Sequence, residues 1–522
     1  MKYQIFSDNE WIYPDTSITE ENKAELYSAR GADVCFQVLT DCFLNEEAKI
    51  TVAAEGMPDG CEAIVYQLTE AHVGENSART VFTTKDYDSV KDFVTRKAPF
   101  DVYEITRPLE KGKLSQGRLA FYLRINVAAD AAVGVHTFQI TLTVGEEAIN
   151  LPVTLQIFNT CIPPLKKAGF HMINWLYYDE IAKDHRVELW SEEYFDVLRA
   201  YLENQLDMRN DYLMLPSGMP IYDENGVVQD FDFAPAEKVG NLALSMGFKY
   251  IQGGFVARFE VWDDPEHLLL WDRKVGTTTL EGYRQLKCYF TRAWECVCKN
   301  NWQQVYMQCL VDEPQFPNSL AYRALSGICR KCMPGVTVYD PVETTDIEGA
   351  VDVWCVKQAV YEKYIDTYRA LQDLGEEIWL YTCGFPAGWT MNRVIDLPLS
   401  VSRLPFWMCC KYGAKGFLHW GYHKHNEERE KETCYRIENG YYPAGNSFVV
   451  YLGEKGPMYS VRGHLQRSGA YDAELFLQLS RREGGRQQML SLIDRVCRSF
   501  DEYDSSSALL DEVRRDLLMM LG

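Results

Sequence analysis

Residues Val305–Pro314 read VYMQCLVDEP, an apolar run that stops on two adjacent carboxylates and a proline. Val305, Tyr306, Met307, Leu310 and Val311 have the pattern of a strand buried on both faces, as in a parallel sheet. Pro314 lacks an N–H and cannot continue a central ladder, so the strand is expected to end at Asp312 and Glu313. The C-terminal ends of parallel strands are where α/β enzymes build their chemistry. A pair of acids delivered there suits cleavage of a glycosidic bond.

An alternation of strand and helix surrounds this stretch. After Pro164, strand-like runs fall at Gly169–Leu176, Tyr212–Leu215, Tyr250–Phe255, Val305–Val311, Val336–Tyr339, Val351–Val356, Ile378–Cys383 and Phe417–Tyr422. Helical stretches lie between them at Ser191–Leu206, Leu280–Lys299, Asn318–Cys332, Tyr361–Leu374 and Leu399–Tyr412. Eight such units over about 260 residues predict a (β/α)8 TIM-like barrel. A doubly wound open sheet would call for a Gly-rich phosphate loop after its first strand, and HMINWLYYDE at 171–180 contains no glycine. The gap from Tyr339 to Val351 is short for a full helix and predicts a reduced fifth unit.

Upstream, Val34–Leu39, Lys49–Ala54, Ala63–Leu68, Leu119–Val127, His136–Val144 and Ile149–Phe158 read as half-solvated antiparallel strands. They predict a β-sandwich, closed off by the stiff linker Cys161-Ile162-Pro163-Pro164. Downstream come a strand-like piece at Phe448–Leu452, an amphipathic helix at Ser460–Leu479 and a charged helical tail ending at Leu521. The expected fold is multidomain, α and β. An N-terminal antiparallel β-sandwich (1–162) precedes a catalytic barrel (165–480) and a C-terminal helical extension (481–522).

Composition narrows the partners. At 522 residues the chain is too long for one ordinary domain, and 47% apolar with 25% charged residues is a globular composition. A net charge of −22 repels nucleic acid and anionic membrane surfaces, so neither is an expected partner. No run approaches the roughly 18 apolar residues of a membrane span. The N-terminus, MKYQIFSDNEWIYPD, lacks the apolar core of a secretory signal, so a cytoplasmic protein is expected, or a secreted one whose signal has been removed. The 16 Cys then read as reduced thiols. Cys329 and Cys332 have CxxC spacing without a second pair at zinc-ribbon distance, and His419, His423 and His425 lack a carboxylate at ligand spacing. No metal or organic cofactor is expected. The sequence leaves a homo-oligomer open.

In a barrel the C-terminal strand ends converge on one pocket. Those ends carry Asn174 and Trp175, Asp312 and Glu313, Trp354, Tyr381, and His419, Trp420 and Tyr422. Two acids, several aromatics and no basic cluster suit a neutral polyhydroxylated ligand, an oligosaccharide or glycoconjugate. A phosphoryl substrate would call for Arg or Lys. Trp420 is the stacking candidate, because Gly421 beside it would let a ligand approach the backbone. Tyr381 is the polar partner. Trp354 reads equally well as barrel filling, Trp407 as packing and Arg403 as a salt bridge.

Adjacency of the acids narrows the mechanism. Neighbours on one strand point to opposite faces, whereas retaining glycosidases hold two carboxyls about 5–5.5 Å apart across one bond. The pair would instead act on different parts of one sugar. Glu313 protonates the leaving oxygen, while Asp312 grips a 2-acetamido N–H and aims its carbonyl at the anomeric carbon. Close like charge is expected to raise one carboxyl of the pair, which suits a general acid at neutral pH. The plainer reading is that both acids cap the helix that begins near Asn318.

Further motifs carry a resemblance. LVDEPQ at Leu310–Gln315, WLYTCG at Trp379–Gly384, YGAKGFLHWGY at Tyr412–Tyr422 and the segment Tyr442–Phe476 resemble glycoside hydrolase family 123 and the related domain-of-unknown-function family 4091. The likeness covers about Gly169 to Leu479 in barrel order. It implies a retaining β-N-acetylgalactosaminidase acting on terminal residues of glycolipid-type glycans, with participation of the 2-acetamido group. The family's Asp-Glu pair falls on Asp312 and Glu313. His419 departs from the pattern, standing where Tyr more often precedes the Trp.

The expected protein is therefore a glycoside hydrolase removing a terminal β-linked N-acetylhexosamine, N-acetylgalactosamine first. Asp312 and Glu313 would be catalytic, and Asn174, Trp175, Trp354, Tyr381, His419, Trp420 and Tyr422 substrate-binding. One rival keeps Glu313 but takes Glu343 or Asp340, just after the fifth strand, as a separate nucleophile. The other is a non-catalytic carbohydrate-binding protein.

Overall fold

The computed structural model describes residues 1–19, 22–77, 94–109, 112–261, 264–271 and 273–522. They group into two compact units, one of Met1–Phe170, Gly384–Tyr412 and Gly421–Gly522, the other of His171–Cys383 and Gly413–Trp420.

The first unit contains the sandwich. One sheet runs in spatial order Tyr3–Ser7, Ala32–Leu44, Gly117–Val127, Cys61–Val73, Phe100–Pro108. The other runs Ala24–Arg30, Glu147–Cys161, Gly134–Val144, Ala48–Glu55, Lys113–Leu114. Ala24–Arg30 lies parallel to Glu147–Cys161, an exception to the antiparallel pattern. Alternate side chains fill the space between the sheets: Phe36, Val38, Phe121 and Leu123 from one, Ile140, Leu142, Leu151 and Val153 from the other.

The first sheet is not half-solvated, as its alternation suggested. Its second face packs Cys35, Leu39, Ala120 and Tyr122 against Leu399, Val461 and Leu465. The helix Val461–Ser480 supplies the last two and pins itself to the sandwich through buried ion pairs, Arg462 with Glu104 at 2.6 Å and Arg467 with Asp33 at 2.7 Å. Residues 384–412 and 421–480, placed with the barrel by the sequence pattern, accordingly cluster with the sandwich. Arg403 is one of them, fully buried and bidentate to Asp472 at 2.5 and 2.9 Å.

The second unit is the barrel. Its strands are β1 (His171–Asn174), β2 (Tyr212–Met214), β3 (Tyr250–Gly253), β4 (Tyr306–Gln308), β5 (Thr337–Val342), β6 (Val353–Lys357), β7 (Glu377–Thr382) and β8 (Gly416–His419). From β2 onward each pairs in parallel with the next, and β8 pairs with β1. Asp211 N–H donates to the Met172 carbonyl at 3.2 Å between β1 and β2, which closes the circle. All eight runs read from the sequence contain a strand. No helix separates β5 from β6, as the short gap predicted. The helix read at 361–374 is broken at Tyr364 into Gln358–Lys363 and Ile365–Asp373. Among the described residues no helix is long and apolar enough to cross a membrane.

Period-two alternation decides which side chains enter the barrel. Ile173, Tyr212, Cys309, Tyr339, Val353, Cys355, Trp379, Tyr381 and Leu418 form the interior. Trp379 lies at its centre, edge-on to Tyr212 and Tyr339 with centroids at 4.8 and 5.2 Å. Gly416 on β8 gives that ring room, since a Cβ there would lie 2.5 Å from the indole. Gly416→Ala is therefore expected to destabilise the protein by about 1–3 kcal/mol, read as a lower denaturant midpoint at unchanged slope.

Candidate active site

The stretch that carries the two acids departs from the strand it was read as. The β4 ladder stops at Gln308, and Val311 keeps a single parallel bridge to Ala257. The cause lies on β5, where Asp340 replaces main-chain partners. Its Oδ1 accepts from the Leu310 and Val311 amides at 2.8 and 3.3 Å, and its Oδ2 accepts from the Tyr322 hydroxyl at 2.7 Å. Two main-chain bonds then clamp the turn, Glu313 N–H to the Pro341 carbonyl and Glu343 N–H to the Pro314 carbonyl, both 3.1 Å. Between them Glu313 has φ +52°. A non-glycine residue pays about 1–3 kcal/mol for such a conformation, and it persists only where neighbours enforce it. Simple strand alternation between Asp312 and Glu313 therefore does not hold.

Neither acid caps the following helix. Gln315 and Asn318 form a reciprocal capping box there. The plainer reading of the pair is thereby removed, and both carboxyls are left for other work.

Glu313 is buried, and its Oε1 accepts from the Tyr381 hydroxyl of β7 and from Lys357 Nζ of β6, the latter at 3.0 Å. Lys357 is itself only 5% exposed and also contacts Glu343, whose other oxygen accepts from Gln315 Nε2 at 3.2 Å. Burial works against the Lys357 charge. Cys383, Glu313 and Asp312 outweigh it, and its pKa is raised. Asp312 is half-buried, and among the described residues none donates a hydrogen bond to its carboxylate. Burial, reinforced by the Glu313 charge and opposed by Lys357, holds the Asp312 carboxyl well above the usual carboxylate range. The raised member of the pair is thus Asp312.

The sequence-read wall residues separate by the same alternation. Trp175 faces the interior with Phe255, edge-on at 5.4 Å, and Tyr381 faces it beside Lys357. Trp420 follows β8, half-buried, its carbonyl accepting from the Tyr177 hydroxyl at 3.1 Å. Asn174 points away from Ile173 and Trp175 and donates to Asn210 at 2.9 Å, fully buried. Trp354 likewise faces outward, edge-on to Tyr368 and bonded to Glu376 at 3.0 Å, so it fills neither pocket nor barrel. His419 is buried on the face of β8 opposite Leu418. Tyr422 lies in the other compact unit, fully buried. Gly421 adjoins no open space, because a Cβ would meet the Asn446 carbonyl at 2.4 Å. Chain packing, and not ligand approach, demands that glycine.

Sequence reading missed Lys357. Its signal was present, a lone lysine closing the apolar run VWCVK, but the pattern could be scored only for basic clusters. Asp340, one rival nucleophile, faces the helix that carries Tyr322 and spends both oxygens on hydrogen bonds.

A barrel with adjoining carboxyls and aromatic walls at its C-terminal rim defines a glycoside hydrolase. The sequence profile of the glycoside hydrolase 123 catalytic domain matches residues 175–479, and the chain belongs to that family. The family 123 glycoside hydrolase of Clostridium perfringens, described for glycolipid glycan hydrolysis, superposes with a TM-score of 0.75 at 13% identity over 99% of this chain and 95% of that one. A termite-gut GH10 xylanase with a bacterial Ig-like domain gives 0.36 at 12% identity over 86% and 99% of the two chains. An endo-β-1,4-mannanase of Thermotoga petrophila gives 0.38 at 13% over 59% and 78%. No curated protein sequence matches.

Two outcomes follow from this geometry. Asp340→Asn keeps the acceptor for the Leu310 and Val311 amides and is expected to retain activity, whereas Asp340→Ala orphans them and costs about 2–4 kcal/mol of stability. Loss of turnover in a folded Asp340→Asn protein would reinstate it as nucleophile. Asp312→Asn is expected to be more stable than wild type, with the gap widening as pH rises above the ordinary aspartate range. Above that range the unfolded chain gives up its proton while the folded wild type keeps it, so stability present at low pH falls until the folded carboxyl itself ionises near pH 8. Melting temperatures across pH test this, and a constant gap would contradict it.

Proposed function

We propose that the protein hydrolyses a terminal β-linked N-acetylhexosamine, N-acetylgalactosamine first, with retention and with the substrate's 2-acetamido group as nucleophile. The observation that carries this is the unequal treatment of two adjoining acids. Glu313 is held by Lys357 and Tyr381, while none of the described residues donates to Asp312. A carboxyl to which no described residue donates is suited to the amide N–H of the acetamido group.

The proton follows from the same arrangement. Burial favours neutral Asp312. An amide N–H seated on Asp312 favours its anion, and the proton passes to Glu313. Glu313 then protonates the leaving oxygen as the acetamido carbonyl attacks the anomeric carbon. In the second half Glu313 takes a proton from water, which opens the oxazoline with net retention. Trp175 and Trp420 supply flat walls for the sugar. The Clostridium perfringens relative, described for glycolipid glycan hydrolysis, supports a glycoconjugate as substrate.

One observation favours a second reading. Glu313 and Glu343 contact one ammonium, which brings a second carboxyl to the neighbourhood of the acid, as a two-carboxylate retaining mechanism requires. Lys357 occupies the gap where the sugar would have to lie, which counts against it.

The test is hydrolysis of 4-nitrophenyl β-N-acetylgalactosaminide. Wild type is expected to turn it over, a thiazoline analogue to inhibit it, and Glu313→Gln to lose about 10²–10⁴-fold in kcat. No turnover on this sugar or its gluco epimer sinks the proposal. Azide rescue of Glu343→Ala would move the nucleophile there.

A further inference from the structure

Among the described residues Lys357 is the cation that touches Glu313. It stands at the end of β6, where alternation continues the inward series Val353, Cys355. It is 5% exposed, and a buried ammonium survives only with close counter-charges. Glu313 Oε1 at 3.0 Å and Glu343 Oε1 are in contact with it. Glu343 is placed by the same pair of main-chain bonds that force the left-handed turn at Glu313. Tyr381 donates to the same Oε1 that Lys357 holds, and the ammonium lies 5.7 Å from that ring's centroid. One oxygen of Glu313 thus takes both donors, and Oε2 receives no hydrogen bond from the described residues.

We infer that Lys357, balanced by Glu343, is a positioning residue for Glu313: it pins one carboxyl oxygen so that the other alone faces the substrate and exchanges the proton. This deepens the proposed function and rests on Glu313 being the acid and base. A carboxyl free to rotate would present either oxygen and spend only part of its time aligned with the leaving group, and small misplacements cost catalysis heavily. Glu343 has a separate duty. Unshared, the Lys357 charge would favour the Glu313 anion and withhold the proton the leaving oxygen needs. Sharing it between two carboxylates tempers that effect. The other titratable groups facing the cluster are Asp312 beside Glu313, Tyr381 and Cys383 on and after β7. Asp340 faces the helix layer instead.

The experiment is the pH dependence of kcat and kcat/KM for 4-nitrophenyl β-N-acetylgalactosaminide in Lys357→Met, Glu343→Gln and the double variant. The double variant removes both charges together and keeps the test open should Lys357→Met fail to fold. Lys357→Met is expected to lose about 10–100-fold in kcat, with KM changed by less than about threefold, and its alkaline limb to move to higher pH. Glu343→Gln is expected to move that limb to lower pH. Lys357→Arg, which keeps the charge, is expected to recover part of kcat. Wild-type kcat with unmoved limbs, or loss confined to KM, overturns the inference. So do limbs that shift the same way in both single variants, since a merely structural role predicts no opposition. Full activity in Glu313→Gln would overturn the reading of Glu313 and the positioning role with it. An inactive Glu313→Gln beside unmoved limbs overturns the positioning role alone.

Discussion

The Asp340 carboxylate, accepting the amides of Leu310 and Val311, is the interaction on which the rim of the barrel depends. A side chain has been substituted for a sheet partner, and the β4 ladder ends four residues before the first acid. The backbone released by that substitution is free to turn. Main-chain bonds to Pro341 and from Glu343 then hold it in a left-handed conformation that an ordinary strand would not permit. Asp340 is fully buried and its own carboxyl is held far above the usual range by that burial. Strain at the acid pair and a costly buried carboxyl on the neighbouring strand are therefore parts of one device.

Charge is handled differently in the two units. In the barrel the buried Lys357 contacts both Glu313 and Glu343 at the rim. In the sandwich unit, buried charges serve attachment. Arg462 with Glu104, Arg467 with Asp33 and Arg403 with Asp472 fasten the helix Val461–Ser480 and its neighbours within the unit, each pair screened from water. Such pairs add less to net stability than their number suggests, but they forbid alternative registers of that helix, because a slip would bury a charge alone.

Legibility in the sequence followed the range of the interaction. All eight barrel strands were readable, because their apolar runs are local and repeat with helices between. The helix Leu280–Lys299 matched its reading at both ends, since Thr279 supplies a local cap. The acid pair was readable for the same reason, as a run ending in Asp, Glu and Pro. Asn174 and Trp354 misled because strand-end position was weighed without face, and one residue of register moves a side chain from the interior to the helix layer. The first sandwich sheet misled for a different reason. Its alternation is genuine, yet both faces are covered, the second by residues more than 300 positions away in Val461–Ser480.

Sequence alone determined the order of the elements, the sandwich, the barrel and the place of Asp312 and Glu313 at the end of its fourth strand, because hydrophobic period and proline act within a few residues. Tertiary structure alone decided which acid is paired and which is bare. That distinction rests on Lys357 and Tyr381, which come from two other strands and meet Glu313 only when the barrel closes, with Glu343 contacting Lys357 from the end of a third. It also decided that Gly421 serves packing and that Asp340 is a substitute for backbone. Electrostatic and steric contacts between residues distant in the chain leave no periodic trace, so they become visible only once the fold brings them together.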